Sequence, residues 1–192
     1  QMLIQKNGEV YVFLTDEEQE INREIEGEVI DDAEVINKVS VTIFDDIFKE
    51  PKYICPKFGG RYSFNFNKIV DDRAHIANQS YDIGVHILTP ASDIQDELTL
   101  RIKSGQGKEV LVVLPPDDHA FMDEIQTYLK IEKYLRRNTS SSLVKFGAIK
   151  DAKTREYRDR VNNAKLFLLE ALKNADIYVN GDKAEIKIKD VN

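Results

Sequence analysis

The sequence predicts an α+β fold in which helices pack on a mixed or antiparallel sheet that ends in a C-terminal β-hairpin. Strand-like apolar runs such as Val110–Leu114 occur between longer segments with helical periodicity. The chain closes with two strand-like segments around Asn180-Gly181, a dipeptide that favours two-residue hairpin turns. Apolar residues make up 42% and charged residues 32% of the 192 residues, which is sufficient to bury a core and excludes wholesale disorder.

The chain begins with a strand pattern followed by a helix. Val10–Leu14 combines β-branched, aromatic and apolar residues, which is typical of a strand. Thr15 followed by Glu18 has the spacing of a capping box, in which each residue satisfies a backbone N–H group of the other. The helix should therefore begin after Thr15, run to about Glu26 and end at Gly27.

A second helix should follow, capped by Asp31 or Asp32. The β-branched run at 39–43 leaves a strand open as an alternative there. Residues 1–50 hold 4 basic and 14 acidic residues, a net charge of −10. We therefore interpret residues 1–50 as an acidic helical connecting segment and residues 51–192 as the α+β module.

The middle of the chain predicts a series of strands. Breakers at 51–60 indicate a loop. The turn at 104–108 is interpreted as a hairpin turn between two strands. Strands are predicted around four apolar or alternating segments: 62–67, 83–87, 98–102 and 110–114.

The last third of the chain predicts two helices and the closing hairpin. The first helix should be capped by Asp117 or Asp118 and run to about Arg137. A polar break at Thr139–Ser142 separates it from a long helix, whose expected bounds are about Lys150 to Lys173. The hairpin strands are predicted at 177–179 and 184–188.

Several classes of protein are excluded by composition. No run of about 18 apolar residues is present, so no membrane span is expected. Cys55 is the one cysteine, so neither an internal disulfide nor a cysteine-based metal cluster can form. The first residues lack the pattern of a secretory signal, which favours a cytoplasmic location. The chain opens almost directly into a strand without an initial Met, and we expect it to be a piece of a longer protein.

The glycine-rich segment Ser104–Lys108 fails as a nucleotide-binding loop. A Walker A motif needs Gly five residues before the Gly that precedes its Lys, and Ser or Thr after the Lys. Those positions hold Ile102 and Glu109. A strand rather than a helix is also predicted to follow, so no helix N-terminus would face a phosphate.

Paired acidic residues raise the alternative of a metal-dependent nuclease. The densest cluster contains Asp71, Asp72 and His75. Such an enzyme needs carboxylates that converge on one or two metal ions. Adjacent residues on a strand point to opposite faces, so a pair in sequence is not automatically a pair in space.

A charge asymmetry is the strongest functional signal from the residues themselves. Residues 128–165 hold 11 basic and 4 acidic residues, a net charge of +7, in a chain of net charge −7. Six of the cations share helical stripes and are the candidate contact residues: Lys130, Lys133, Arg137, Arg155, Arg158 and Lys165. Three interpretations stay open for this basic face: phosphate neutralisation on nucleic acid, docking against a partner or against the chain's own acidic residues 1–50, and a solvated surface.

Three segments together resemble one family. They are the runs VYVFLTDEEQEINREI at 10–25, EVLVVLPPDD at 109–118 and YLKIEKYLRRN at 128–138. In this order they resemble an internal piece of the BrxC family, the large P-loop ATPase subunits of BREX phage-resistance systems, and of its PglY-type relatives.

The resemblance implies a cytoplasmic defence machine that acts on DNA, with other subunits of the complex and double-stranded DNA as partners. Family members carry their Walker motifs in a separate region that this chain lacks, so no catalytic residue transfers to it and no cofactor is expected here. The function expected is that of a non-catalytic accessory domain. The alternatives are the nuclease built on Asp71, Asp72 and His75, and a purely structural spacer.

Overall fold

The computed structural model describes residues 3–7, 10–138 and 144–188. Five α-helices lie within these ranges. Their bounds are α1 Asp16–Glu26, α2 Asp32–Val41, α3 Glu97–Ser104, α4 Ala120–Arg137 and α5 Val144–Asn174. A π-helical segment, Thr42–Ile47, continues α2.

The strands of the described ranges form three sheets. Their bounds are β1 Leu3–Asn7, β2 Val10–Leu14, β3 Tyr53–Ile54, β4 Ser63–Phe64, β5 Asn67–Val70, β6 Arg73–Ala74, β7 Gly84–Leu88, β8 Glu109–Val113, β9 Asp176–Val179 and β10 Asp182–Ala184. The main sheet has six strands in the order β10-β9-β8-β7-β5-β6, and the pairs β1–β2 and β3–β4 stand apart from it. Strands β5, β7 and β8 are parallel, and the remaining pairs of the main sheet are antiparallel.

The two faces of the main sheet are covered unequally. Successive residues of a strand point to opposite faces. Ile87 and Val112 therefore face a large core formed with α2, α4 and α5. Their neighbours Leu88 and Leu111 face a smaller cluster on the other side, where Leu100 of α3 packs. The sheet thus lies between three helices on one face and one short helix on the other.

The predicted fold class is confirmed, including the C-terminal hairpin. Asn180 and Gly181 form a two-residue turn with φ angles of 52° and 88°, as a type I′ turn requires. The first helix is also as expected, because Thr15 caps α1 through a complete capping box with Glu18. Asp31 caps α2 by accepting a hydrogen bond from the backbone N–H of Ala33.

The strand predicted at 98–102 is wrong, because this segment is the helix α3. Asp96 caps α3 by accepting a hydrogen bond from the backbone N–H of Thr99. Strands β7 and β8 are parallel neighbours, and a parallel pair needs a crossover connection, here a helix. The segment 104–108 therefore joins a helix to a strand and is not a hairpin turn. The strand alternative at 39–43 is also wrong, because those residues are helical.

The alternating pattern at 62–67 misplaces a strand. Within it, Ser63–Phe64 forms β4 of the separate β3–β4 hairpin, with both residues exposed, and Asn67 already begins β5. The segment that enters the main sheet is β5, which places Val70 fully inside the core. The predicted polar break at 139–142 lies outside the described residues.

Part of the predicted connecting segment packs into the core. Val39 and Ile43 are fully buried in the same cluster as α4 and α5 residues. A π-helix has about one more residue per turn than an α-helix, so the side chains that follow it are rotated around the helix axis. The consecutive residues Ile43 and Phe44 can therefore both be buried. The domain boundary at residue 50 stays a prediction. No helix in the described part of the chain is long and apolar enough to cross a membrane.

Candidate contact surface on the basic helices

The basic stripe of α4 faces the connection between α1 and α2. An apolar side of α4, which includes Phe121 and Ile125, is buried in the core, so the cations lie on the remaining surface. Lys130 donates from Nζ to the backbone oxygen of Glu26 at 3.0 Å. Lys133 donates from Nζ to the backbone oxygen of Val29 at 2.8 Å. Both lysines therefore bind carbonyl groups at and just beyond the end of α1.

These contacts suit the end of a helix. The last carbonyl groups of a helix have no partner within it and carry the negative end of the helix dipole. Lys130 supplies both a donor and a positive charge to the carbonyl of Glu26, the last residue of α1. The interaction thus fixes α1 on α4 without needing an acidic side chain.

Arg137, the third cation of the α4 stripe, contacts the buried carboxylate of Glu28. Its Nη2 lies 2.7 Å from Oε1 of Glu28. The Glu28 side chain is only 4% exposed, whereas that of Arg137 is 63% exposed. The contact is an ion pair whose angle falls short of an aligned hydrogen bond. Of the interpretations that the sequence leaves open, docking against residues 1–50 describes what Lys130, Lys133 and Arg137 do in the structure.

The cations of α5 are arranged differently. Arg155 and Arg158 are exposed, and Lys165 is half-buried. Steps of three and seven residues place the three on one side of α5. None of them forms an ion pair with a carboxylate in the described part of the chain. Arg155 and Arg158 are therefore accessible from outside.

The opposite side of α5 holds its charges in an internal network. Glu156 accepts hydrogen bonds from Lys153 at 2.7 Å and from Arg160 at 3.3 Å. Arg160 also contacts Glu124 of α4 at 3.2 Å. Burial alone would raise the pKa of Glu156, but the hydrogen bonds and charges of Lys153 and Arg160 outweigh it and lower that pKa. The network ties α5 to α4 and leaves little charge on this side for an external ligand.

The residues of the nuclease alternative do not converge. Both carboxylate oxygens of Asp71 accept hydrogen bonds from Thr89, from the backbone N–H at 2.8 Å and from the hydroxyl at 2.7 Å. His75 instead contacts Asp45 at 3.1 Å. The side chain of Asp72 is 86% exposed. Across the described ranges, no group of three or more His, Cys, Asp or Glu residues could hold a metal ion.

Asp71 has a structural role at the end of β5. Its φ angle is 51°, in the left-handed region that Asp and Asn tolerate better than most residues. Its backbone oxygen accepts a hydrogen bond from Nε2 of the buried His86. Burial raises the pKa of the Asp71 carboxyl, although the hydrogen bonds from Thr89 and the nearby His86 oppose the shift.

Substitutions of Asp71 test the structural role of its side chain. We expect Asp71→Ala to lower the free energy of unfolding by about 1–2 kcal/mol, because the buried N–H of Thr89 loses its acceptor. Asp71→Asn should cost much less, since it keeps an acceptor and tolerates the positive φ. Urea unfolding at neutral pH measures both changes, and equal losses for the two variants would contradict the assigned role.

The raised pKa of Asp71 also predicts a dependence on pH. A carboxyl group whose pKa is higher in the folded state binds protons more tightly there. Protonation of Asp71 therefore adds to the free energy of unfolding as pH falls through the raised pKa of the folded state towards 3.8, the ordinary value of an aspartate. This added stability is lost again as pH rises through the pKa of the folded state. Unfolding measured across this range should show that increment in the parent chain and lose it in Asp71→Asn.

Sequence reasoning missed Glu28 and the β3–β4 hairpin. Glu28 carries no motif and lies among other acidic residues around the α1–α2 connection, so nothing in the sequence marks it as the buried one. The alternation at 62–67 is typical of a half-buried strand, whereas Tyr62 and Phe64 are 55% and 46% exposed.

Comparison with known families agrees with this architecture. Residues 28–192 match the family described as BREX ATP-binding protein BrxC 4th domain with six-stranded beta sheet. The described strand order provides such a six-stranded sheet. The match begins at the buried Glu28, so α1 lies before it. No solved structure matches the chain.

Proposed function

The chain belongs to the BrxC family of BREX ATP-binding proteins, as its fourth domain, and from this premise we propose that it is a non-catalytic accessory module of the ATPase. It is part of a BREX-associated defence protein. In this proposal the module works in the cytoplasm and contacts either another subunit of the defence complex or double-stranded DNA. The contact is electrostatic and involves no chemical step.

The observation that carries the proposal is the outward position of Arg155 and Arg158 on α5. Both are exposed and form no ion pair with a described carboxylate. Lys165 extends the same side of the helix. Unpaired cations on one helical side can neutralise phosphates and release their counterions, and they can equally pair with an acidic protein surface.

The α4 cations take a supporting part in this proposal. Lys130, Lys133 and Arg137 are bound to the α1–α2 connection. They hold the α1–α2 connection on α4, so the charges proposed for external contact are those of Arg155, Arg158 and Lys165. Of the six predicted contact residues, we thus assign three to external contact and three to internal attachment.

Binding to a labelled DNA duplex tests the proposed surface. We expect fluorescence anisotropy to show binding at about 50 mM salt that weakens steeply at about 200 mM. The double variant Arg155→Glu/Arg158→Glu should abolish it. Arg73→Glu/Lys108→Glu makes the same change in net charge at exposed positions elsewhere, and it should retain most of the binding.

The result also separates the two kinds of partner. If the duplex does not bind, capture of the other BREX subunits by the parent chain, lost in Arg155→Glu/Arg158→Glu, would identify a protein contact. If both binding experiments fail, the accessory contact proposed here is wrong and the module is a structural spacer.

A further inference from the structure

The β3–β4 hairpin forms a second surface, which carries exposed aromatic and basic side chains. It pairs Tyr53 with Phe64 and Ile54 with Ser63, and it belongs to neither the main sheet nor the N-terminal pair. The backbone N–H of Cys55 donates to the oxygen of Tyr62 at 2.9 Å, which extends the ladder by one residue. The connecting turn includes Gly59 and Gly60, both with positive φ.

One face of the hairpin is aromatic. Tyr62 and Phe64 are two residues apart on one strand and therefore share a face, and Tyr53 lies opposite Phe64 on the same face. Tyr53, Tyr62 and Phe64 are 52%, 55% and 46% exposed. Neighbouring aromatic side chains of this size are usually buried in a folded domain, so an exposed group of three indicates a binding surface.

Exposed cations lie close to these aromatic residues in the sequence of the hairpin. Residues 49–66 hold four basic residues and one acidic residue, a net charge of +3, in a chain of net charge −7. Lys52, Lys57 and Arg61 are all exposed. None of the three pairs with a carboxylate of the residues that the structure describes.

We propose that the hairpin binds single-stranded nucleic acid, with bases stacked on Tyr53, Tyr62 and Phe64 and phosphates bound by Lys52, Lys57 and Arg61. Exposed aromatic rings beside cations form the stacking platforms of single-strand binding proteins. A duplex offers such rings no access, because its bases are already stacked. The local net charge of +3 favours a polyanionic ligand, and contact with a protein is an outcome that the experiments below distinguish.

This surface is distinct from the proposed α5 contact in both residues and ligand. The α5 contact is proposed on cations alone, whereas the hairpin combines three exposed rings with three exposed cations. The rings provide sequence-tolerant stacking and the cations provide a salt-dependent contribution. Three rings would hold about two or three bases.

Binding of a labelled oligodeoxythymidine of about 12 nucleotides tests the inference. Fluorescence anisotropy at low salt should show binding by the parent chain. Tyr53→Ala/Phe64→Ala should weaken it by about tenfold or more, because each stacked base contributes substantially. Tyr53→Phe/Phe64→Tyr keeps both rings and should bind like the parent. An oligouridine of equal length reports the sugar preference, and binding of either oligonucleotide supports the site.

The absence of tryptophan from the chain permits a direct measurement of stacking. Tyr53→Trp introduces the one indole of the protein, whose emission should be quenched when a base stacks on it. Circular dichroism checks that the variants remain folded, which we expect because the hairpin lies outside the core clusters.

Further controls separate this inference from the proposed function. Arg155→Glu/Arg158→Glu should lose the duplex or subunit contact and keep the oligonucleotide contact. If the parent chain binds neither oligonucleotide at low salt, or if the alanine variant binds as the parent does, the hairpin is not a nucleic-acid site and its aromatic face contacts protein instead.

Discussion

Replacing Ile43 with alanine should lower the free energy of unfolding by about 2–5 kcal/mol. Ile43 is fully buried in the π-helical segment and packs in the core shared by α2, α4, α5 and the main sheet. Removal of its outer methyl groups leaves a cavity that close-packed neighbours fill only in part. Urea unfolding, followed by far-ultraviolet circular dichroism, measures the loss.

This experiment also examines the boundary predicted at residue 50. If α2 is part of one cooperative core, Ile43→Ala shifts a single transition to lower urea. Val29→Ala is the matched control in the same segment, because Val29 is 79% exposed and its truncation should change little. An unchanged main transition in Ile43→Ala would mean that residues 1–50 unfold separately, as a connecting segment.

Replacing Arg137 with alanine should lower the free energy of unfolding by about 3 kcal/mol. The change leaves the buried carboxylate of Glu28 without its counter-charge, and breaking a buried ion pair from one side is strongly destabilising. The exposure of Arg137 places the effect at the lower end of the usual range. Thermal or urea unfolding near neutral pH gives the value.

A matched arginine and a double variant make this prediction specific. Arg158→Ala removes an exposed arginine without an ion-pair partner among the described residues, and its effect should stay within about 0.5 kcal/mol. Glu28→Gln/Arg137→Ala should recover part of the loss, since no buried charge then remains unpaired. Equal losses of unfolding free energy in Arg137→Ala and Arg158→Ala would contradict the distinction between the α4 cations bound to the α1–α2 connection and the exposed cations of α5.

The elements that sequence patterns predicted well are those whose signals are local. The capping box of Thr15 and Glu18 involves residues three positions apart. The Asn180-Gly181 turn similarly depends on two adjacent residues that tolerate positive φ. Such short-range preferences require no knowledge of which segments meet in the fold.

The strand wrongly predicted at 98–102 depends on a distant pairing. Leu98, Leu100 and Ile102 alternate as in a strand, yet only Leu100 is buried and the other two are 69% and 61% exposed. The parallel pairing of β7 with β8 decides the outcome, and this pairing cannot be read from residues 98–102. The cap formed by Asp96 was the local signal that could have indicated a helix.

In the candidate site, too, local features could be predicted from the sequence and distant contacts could not. Residue spacing correctly placed Lys130, Lys133 and Arg137 on one helical stripe. It could not show that two of them bind backbone carbonyls, because a carbonyl is present at every position and has no sequence signature. The exposure of the hairpin aromatics likewise depends on the main sheet taking β5 rather than residues 62–66.

The main sheet ends on both sides in very short strands, β6 with two residues and β10 with three. Unpaired strand edges invite pairing with another chain, and brief, charged edges oppose it. Arg73 lies on one edge, while Asp182 and Lys183 lie on the other. The edges of the main sheet are thus poorly suited to strand addition by another chain, which favours recognition through side chains, as proposed for α5 and for the aromatic hairpin.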